Sequence, residues 1–309
     1  MIEIISLFAV YIAIFIFGMT VMRTGLYNLS QDKVKVWLIT FTNHPIKGLI
    51  TGTVITAIIQ SSSAVMVIIV GLIATGYLTF KQSIGIILGT NIGTTFTTEL
   101  ITIDIYEAII PFLFIGFLCL FVRHQQVFSL GALLFGLGCL FVSMNGFEQL
   151  AHPLSLYPSI HSFFEYTNNH GLIGIGLGTL LTAIIQSSSA TTGIIMGFMN
   201  EHLLSLHAGI AIILGANIGT CITAFLASLG STQEAKLAAY AHIWINILGV
   251  ALFYPFIKSL GAVAVMMTSV PDIQLAHVSL IFNVLTSLIA LPFTGLLATF
   301  IIRLHTRKA

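Results

Sequence analysis

The chain is a succession of long apolar stretches separated by short polar segments. These stretches cover residues 2–22, 48–75, 84–103, 105–122, 127–145, 172–199, 208–229, 237–257 and 278–302. A helix needs about 20 predominantly apolar residues to cross the hydrocarbon core of a bilayer. Most of the stretches have about that length, and we predict that they are transmembrane helices.

Two stretches, 48–75 and 172–199, are too long for one ordinary span. Each is interrupted in its middle by the polar run Gln-Ser-Ser-Ser. About 14 residues on either side of the interruption would extend roughly 20 Å as a helix. This length predicts a re-entrant helical hairpin that enters and leaves the bilayer on the same side.

The polar run belongs to an internal repeat. Residues 56–64 and residues 182–190 both read TAIIQSSSA, an offset of 126 positions. The same offset relates IILGTNIGT at 86–94 to IILGANIGT at 212–220. Two blocks in register predict a duplicated unit. We expect one repeat over residues 1–126, with hairpin 48–75. The second would cover 127–309, with hairpin 172–199 and a final transmembrane helix.

Composition excludes a soluble protein and several classes of partner. Hydrophobic residues make up 57% of the chain, charged residues 7%, and the mean hydropathy is +1.05. An ordinary soluble domain is about a quarter charged, so a lipid bilayer is the expected surrounding. The net charge of +1 gives no reason to expect nucleic acid as a partner. The three cysteines form no CxxC pair, and we expect no transition metal and no cofactor.

The distribution of Lys and Arg predicts the topology. Segment 23–47 carries four basic residues and its counterpart 146–171 carries none. Since basic loops face the cytoplasm, the first segment is expected inside and the second outside. With both hairpins re-entrant, the C-terminus, including Arg307 and Lys308, is also cytoplasmic. The predicted fold is therefore an all-α polytopic protein of the cell membrane with two inverted repeats, a frequent construction of secondary transporters.

The Gln-Ser-Ser-Ser runs suit an oxyanion. Serine hydroxyls, amides and the free N–H groups of a helix start can all donate to anionic oxygens. If the hairpins enter from opposite faces, their tips can meet near the midplane, with the Asn-Ile-Gly-Thr blocks beside them. The candidate anion-binding residues are Gln60, Ser61, Ser62, Ser63, Gln186, Ser187, Ser188, Ser189, Asn91 and Asn217.

Neither hairpin contains Lys or Arg between its flanking residues, so we expect mobile cations to compensate a multiply charged anion. Side-chain oxygens and unwound carbonyls suit a hard monovalent ion such as sodium. The candidate sodium-binding residues are Gln60, Gln186, Ser63, Ser189, Asn91, Thr94, Thr95, Thr97, Asn217, Thr220 and Thr223.

The doubled QSSS, with the blocks GTNIGT and GANIGT at equal spacing, resembles the type II sodium/phosphate cotransporter family. The stretches Ala241-His242 to Asn246 and Phe282-Asn283 are similar to that family as well. The resemblance implies inorganic phosphate as substrate, sodium as coupling ion, and QSSS motifs that form both sites. It also implies a short form without the soluble regulatory domain of longer bacterial members. Cys221 replaces the equivalent of Thr95, so the two ion sites are not expected to be identical.

We therefore expect sodium-coupled symport of inorganic phosphate by alternating access, in a secondary transporter and not an enzyme. A symporter for another oxyanion or a small carboxylate is one alternative, and a passive anion channel is another. An intramembrane enzyme with a serine nucleophile would need a base, for which His242 is the candidate. Uptake or export, the sodium stoichiometry and association as a homodimer are left open.

Overall fold

The computed structural model describes residues 2–306, apart from the side chains of residues 31 and 32, and this part contains α-helices and no β-strand. The helices are α1 (Ile2–Thr40), α2 (Pro45–Ile59), α3 (Ser62–Ala74), α4 (Phe80–Leu100), α5 (Ile109–Leu120), α6 (Gln125–Ser155), α7 (Pro158–Asn169), α8 (Gly171–Ile185), α9 (Ser188–Asn200), α10 (Leu206–Gly219), α11 (Cys221–Ser228), α12 (Gln233–Phe253), α13 (Ile257–Met267), α14 (Pro271–Ala290) and α15 (Thr294–His305). Short 3₁₀ turns precede α5, α13 and α15.

Several helical stretches are long and apolar enough to cross a membrane. They are Ile2–Ser30, Gln125–Ser155, Leu206–Ser228, Gln233–Met267 and Pro271–His305. The pair α7 and α8 adds a sixth if it is counted as one span, although it bends by 115°. The protein is therefore a multi-pass membrane protein, as its composition predicts.

Both predicted hairpins are broken at the polar run. Helices α2 and α3 have 15 and 13 residues, or roughly 22 and 20 Å of helix, which is too short to cross a bilayer alone. Helices α8 and α9 have the same two lengths. In the second hairpin the chain turns back on itself, because the hydroxyls of Thr182 and Thr191 lie 2.9 Å apart across the break.

The two copies pack alike. Helix α4 lies along α2, and the Thr53 hydroxyl donates to the Gly89 carbonyl at 3.2 Å. Helix α10 lies along α8 with the equivalent bond from Thr179 to Gly215 at 3.1 Å. A Cβ atom at either glycine would overlap the carbonyl of the facing helix, so the close approach requires glycine. The repeated sequence therefore produces a repeated packing arrangement.

Helices α1 and α6 form the most extensive helix pair in the described part of the chain. Gly18 faces Gly136 and Cys139, whereas Gly25 faces Ser129. Residue numbers thus rise along one helix as they fall along the other, so the pair is antiparallel. These two helices are equivalent in the two copies and run in opposite directions, which is the arrangement expected of inverted repeats. The boundary between residues 126 and 127 remains a prediction.

Two elements differ from the sequence-based expectation. Helix α1 continues to Thr40 and does not end at residue 22, so Arg23 lies inside a helix and not in a loop. No Pro or Gly follows Gly25 before Pro45, and a drop in hydropathy alone does not end a helix. Helix α7 occupies part of the predicted loop 146–171 and begins with proline, which favours a first helical turn. Arg307 and Lys308 lie outside the described residues.

Candidate functional site

The tip of the first hairpin is an interruption of the helix at one residue. Gln60 ends α2 in the left-handed region, with φ 58° and ψ 30°. Ser61 is extended and caps α3, where its hydroxyl accepts a hydrogen bond from the Ala64 amide at 3.1 Å. Left-handed backbone is unfavourable for a residue with a Cβ atom, so packing around Gln60 must hold it there. The break presents the positive N-terminal end of α3.

The second hairpin reproduces this backbone. Gln186 has φ 56° and ψ 28°, and the Ser187 hydroxyl accepts from the Ala190 amide at 3.3 Å. Identical sequence has therefore produced the same cap-and-break arrangement twice. Each break offers serine hydroxyls beside a helix N-terminus, which is chemistry that suits an oxyanion.

The two tips differ in their surroundings. Gln60 is 9% exposed, and Ser61 and Ser62 are also buried. Gln186 is exposed, while Ser188 is partly exposed. The first tip is therefore enclosed by protein, and the second reaches the protein surface.

One candidate pair connects the two repeats. The Thr223 hydroxyl on α11 lies 3.1 Å from the Ser63 hydroxyl on α3. The pair at equivalent positions is Thr97 and Ser189, and it forms no hydrogen bond. Among the described residues, the buried Thr97 hydroxyl has no partner at all. The structure thus brings Ser63 and Thr223 together and leaves their counterparts apart.

Asn91 belongs to a buried network between helices. Its amide donates to the Asn246 side-chain oxygen at 3.2 Å, which joins α4 to α12. The Asn246 amide in turn donates to the His242 carbonyl at 2.9 Å and lies 3.4 Å from the Cys221 sulfur. The two asparagine blocks therefore differ, because Asn217 does not take part in an equivalent network.

The remaining candidates bond within their own helices. Asn217 donates to the Ile213 carbonyl at 2.8 Å. The hydroxyls of Thr94, Thr95 and Thr220 donate to carbonyls three or four residues earlier, at 2.7 to 2.9 Å. Such bonds are the usual way for a polar side chain to be satisfied inside a helix. The role of these side chains in sodium binding stays a prediction.

Arg23 is a residue at the first tip that sequence reasoning missed. Its Nε donates to the Gln60 carbonyl at 2.8 Å. The first hairpin contains no Lys or Arg of its own, but α1 brings a basic side chain to its tip. The two residues are 37 positions apart in the sequence, and only the packing of α1 against α2 brings them together. An arginine just after a long apolar run was the one signal that could have indicated this.

Two unpartnered oxygens lie at the first tip. The Gln60 side-chain oxygen is buried without a hydrogen-bond partner in the described structure, and so is the hydroxyl of Thr56, one turn earlier. In the second hairpin the equivalent Thr182 is bonded to Thr191. Buried amide and hydroxyl oxygens without a donor are suited to a hard cation.

Comparison with known proteins identifies a family and several relatives. The profile of the Na+/Pi-cotransporter family matches residues 14–149 and 155–271. The uncharacterized protein YqeW of Bacillus subtilis is 41% identical over 290 residues, which cover 94% of each chain.

More distant relatives carry functional names. "Putative inorganic phosphate export protein YjbB" of Escherichia coli is 22% identical over 94% of this chain and 53% of its own length. Human "Sodium-dependent phosphate transport protein 2B" is 32% identical over 41% of this chain, which is 20% of the human protein. This chain thus spans about half of one and a fifth of the other. No solved structure matches the chain significantly. With the family profile covering both repeats, the chain belongs to the Na+/Pi-cotransporter family.

Proposed function

We propose that the protein is a secondary transporter that moves inorganic phosphate together with sodium ions across the cell membrane, with its C-terminus in the cytoplasm. The main observation is the pair of broken helices with the same tip geometry in antiparallel repeats. One of these tips contacts the other repeat through Ser63 and Thr223. Family membership and the names of the relatives support phosphate and sodium as the transported species.

Phosphate binds, in this proposal, between the two tips. The N-termini of α3 and α9 supply free N–H groups and the positive ends of two helix dipoles. Serine hydroxyls can donate to further oxygens. The proposed phosphate-binding residues are Gln60, Ser61, Ser62, Ser63, Gln186, Ser187, Ser188, Ser189, Asn91 and Asn217.

Sodium reduces the cost of placing phosphate in the membrane. A multiply charged anion needs compensation in a medium of low dielectric constant. The buried, unpartnered oxygen of Gln60 is the best-supported ligand, because amide oxygens coordinate hard cations. The other proposed ligands are Gln186, Ser63, Ser189, Asn91, Thr94, Thr95, Thr97, Asn217, Thr220 and Thr223.

The unequal contacts of the two tips support alternating access in this proposal. Ser63 is paired with Thr223 in this conformation, while Ser189 and Thr97 are not paired. Two inverted copies can exchange their conformations, since each copy has the residues of the other at these positions. We expect the opposite state to form the Ser189–Thr97 contact and to lose the Ser63–Thr223 contact.

The test is flux of radiolabelled phosphate into proteoliposomes that contain the purified protein, with an inward sodium gradient or an equal potassium gradient. We expect uptake that requires sodium. Ser62→Ala and Ser188→Ala should each abolish most of it. Ser143→Ala is the matched control, because the buried Ser143 hydroxyl donates to its own helix, at the Cys139 carbonyl 2.9 Å away. Sodium-independent flux, or no flux from folded protein, would contradict the proposal.

Further measurements on the same proteoliposomes distinguish phosphate symport from the alternative functions. Stronger inhibition by sulfate or a small carboxylate than by unlabelled phosphate would indicate a different substrate. Flux that only dissipates a phosphate gradient would indicate a channel. Covalent labelling by a fluorophosphonate would indicate a serine nucleophile. Reversing the sodium gradient tests export, the activity in the name of the Escherichia coli relative.

A further inference from the structure

Arg23 is a charged residue in an apolar helix. It lies within Ile2–Ser30, a stretch with the length and hydropathy of a membrane span. Its side chain is partly buried. A guanidinium keeps its charge under all physiological conditions, and a charge within a membrane-spanning helix is costly unless something pairs with it. Arg23 therefore needs a negatively charged partner, and the first hairpin supplies only a neutral acceptor.

The known contact of Arg23 is with a neutral group. Its Nε donates to the Gln60 carbonyl at 2.8 Å, and that carbonyl belongs to the peptide bond that joins Gln60 to Ser61. The guanidinium thus lies at the break itself, beside the positive N-terminal end of α3. The bond uses one of the five N–H donors of arginine. The four donors of the two terminal amino groups are left for another acceptor.

No carboxylate among the described side chains supplies the missing negative charge. In the described part of the chain, the structure contains one salt bridge, between His277 and Glu99 at 3.1 Å. None of the acidic side chains that the structure describes therefore lies within ion-pair distance of Arg23. A guanidinium and a helix N-terminus, both positive, lie side by side without a counter-ion, and this combination favours a bound anion.

We propose that Arg23 is a substrate-binding residue, whose guanidinium pairs with the oxyanion held at the tip of the first hairpin. This deepens the proposed phosphate transport and rests on it. Two terminal amino groups in one plane match two oxygens of a tetrahedral anion. The second tip has no such cation, because no Lys or Arg donates to it among the described residues. The anion is therefore bound unequally, more tightly by the first hairpin than by the second.

A purely structural role for Arg23 makes different predictions. If the residue only fastens α1 to the end of α2, its replacement should lower the melting temperature and leave the affinity for phosphate unchanged. Arg23→Gln keeps a donor for the Gln60 carbonyl but removes the charge. Arg23→Lys keeps the charge but not the planar pair of donors. The two variants therefore separate charge from attachment.

The experiment measures two quantities for the wild type and for both variants. The first is the KM for phosphate in proteoliposomes at saturating sodium, and the second is the rise in melting temperature that inorganic phosphate causes in detergent. We expect Arg23→Gln to raise the KM by about tenfold or more, as for loss of a hydrogen bond to a charged group. The stabilisation by phosphate should disappear. Arg23→Lys should lie between Arg23→Gln and the wild type.

Lys35→Gln is the control for loss of one positive charge. Lys35 lies in the same helix as Arg23, with its Nζ 5.1 Å from the ring centroid of Tyr77. The variant should leave the KM for phosphate and the stabilisation by phosphate unchanged. A wild-type KM in Arg23→Gln, or an equal rise in Lys35→Gln, overturns the inference. If Arg23→Gln does not fold, Arg23→Lys is the test. An unchanged KM for phosphate in Arg23→Lys also overturns the inference. A wild-type protein that neither binds nor moves phosphate overturns the proposed function itself.

Discussion

The hairpins α2–α3 and α8–α9 share an uninterrupted run of nine identical residues and the same backbone at the break, but they differ in what surrounds them. The φ angles of Gln60 and Gln186 are 58° and 56°. Yet Gln60 is buried and Gln186 is exposed. Ser63 has a partner in the other repeat, whereas Ser189 lacks the equivalent contact. Local sequence therefore determines the shape of the tip, and tertiary neighbours determine which groups face it.

The differences arise from residues outside the identical segment. Arg23 reaches the first tip only. Val65 in α3 stands where α9 has Thr191, so Thr56 has no hydroxyl partner while Thr182 has one. An inverted repeat with equal tips can thus still hold a substrate unequally.

Disulfide crosslinking of the two equivalent pairs should have the largest effect on transport. We expect Ser63→Cys with Thr223→Cys to crosslink readily in this conformation, and Ser189→Cys with Thr97→Cys to crosslink only when the transporter cycles. Either bond should hold the transporter in one state. Because the cysteines replace proposed ligands, crosslinking is measured as loss of maleimide labelling that reductant restores, and not as phosphate flux. The background needs Cys119, Cys139 and Cys221 replaced, because all three are free. Equal crosslinking of both pairs without substrate would show that the two tips do not differ in these contacts.

Alanine at the two glutamines should show the next largest effect. Gln60→Ala removes a buried amide oxygen without a partner, and we expect transport at low sodium to fall by about a hundredfold. Gln186→Ala removes an exposed side chain, for which a fall of about tenfold or less is expected. Sodium titrations of phosphate flux measure both values. A larger loss of transport in Gln186→Ala would contradict Gln60 as the best-supported sodium ligand.

Alanine at Gly89 or Gly215 should instead affect both copies equally. A Cβ atom there would overlap the facing helix backbone, and such overpacking costs about 1–3 kcal/mol of stability. Gly71→Ala is the control, since no atom lies within 4 Å of a Cβ placed there. Melting temperatures in detergent provide the measurement. Unequal losses at Gly89 and Gly215 would show that the two copies do not share this packing.

Exchanging the hydroxyls beside the tips should have the smallest effect. Thr191→Val leaves the Thr182 hydroxyl without its partner and should lower stability by about 1 kcal/mol. Val65→Thr offers Thr56 the bond that the second hairpin already has, and a small gain in stability is expected. Melting temperatures again report the result. A loss from Val65→Thr would mean that Thr56 has a different task from Thr182.

The sequence predicts the elements of this fold better than their contacts. Hydropathy and the two QSSS runs locate both breaks, because apolar helices and a left-handed residue before a serine cap are local features. The extension of α1 beyond residue 22 was missed, since hydropathy reports contact with lipid and not the end of a helix. The Arg23–Gln60 bond was missed because it joins distant segments. Thr223 was among the candidates, but its pairing with Ser63 depends on how two repeats pack.

The antiparallel contact between α1 and α6 has a mechanical consequence. At Gly18 and Gly136 the two helices meet backbone to backbone. Small residues at a helix contact let the backbones approach closely, and packed helices can slide past each other in a shear motion. The contact between Gly18 and Gly136 can therefore act as the pivot for a movement of one repeat relative to the other.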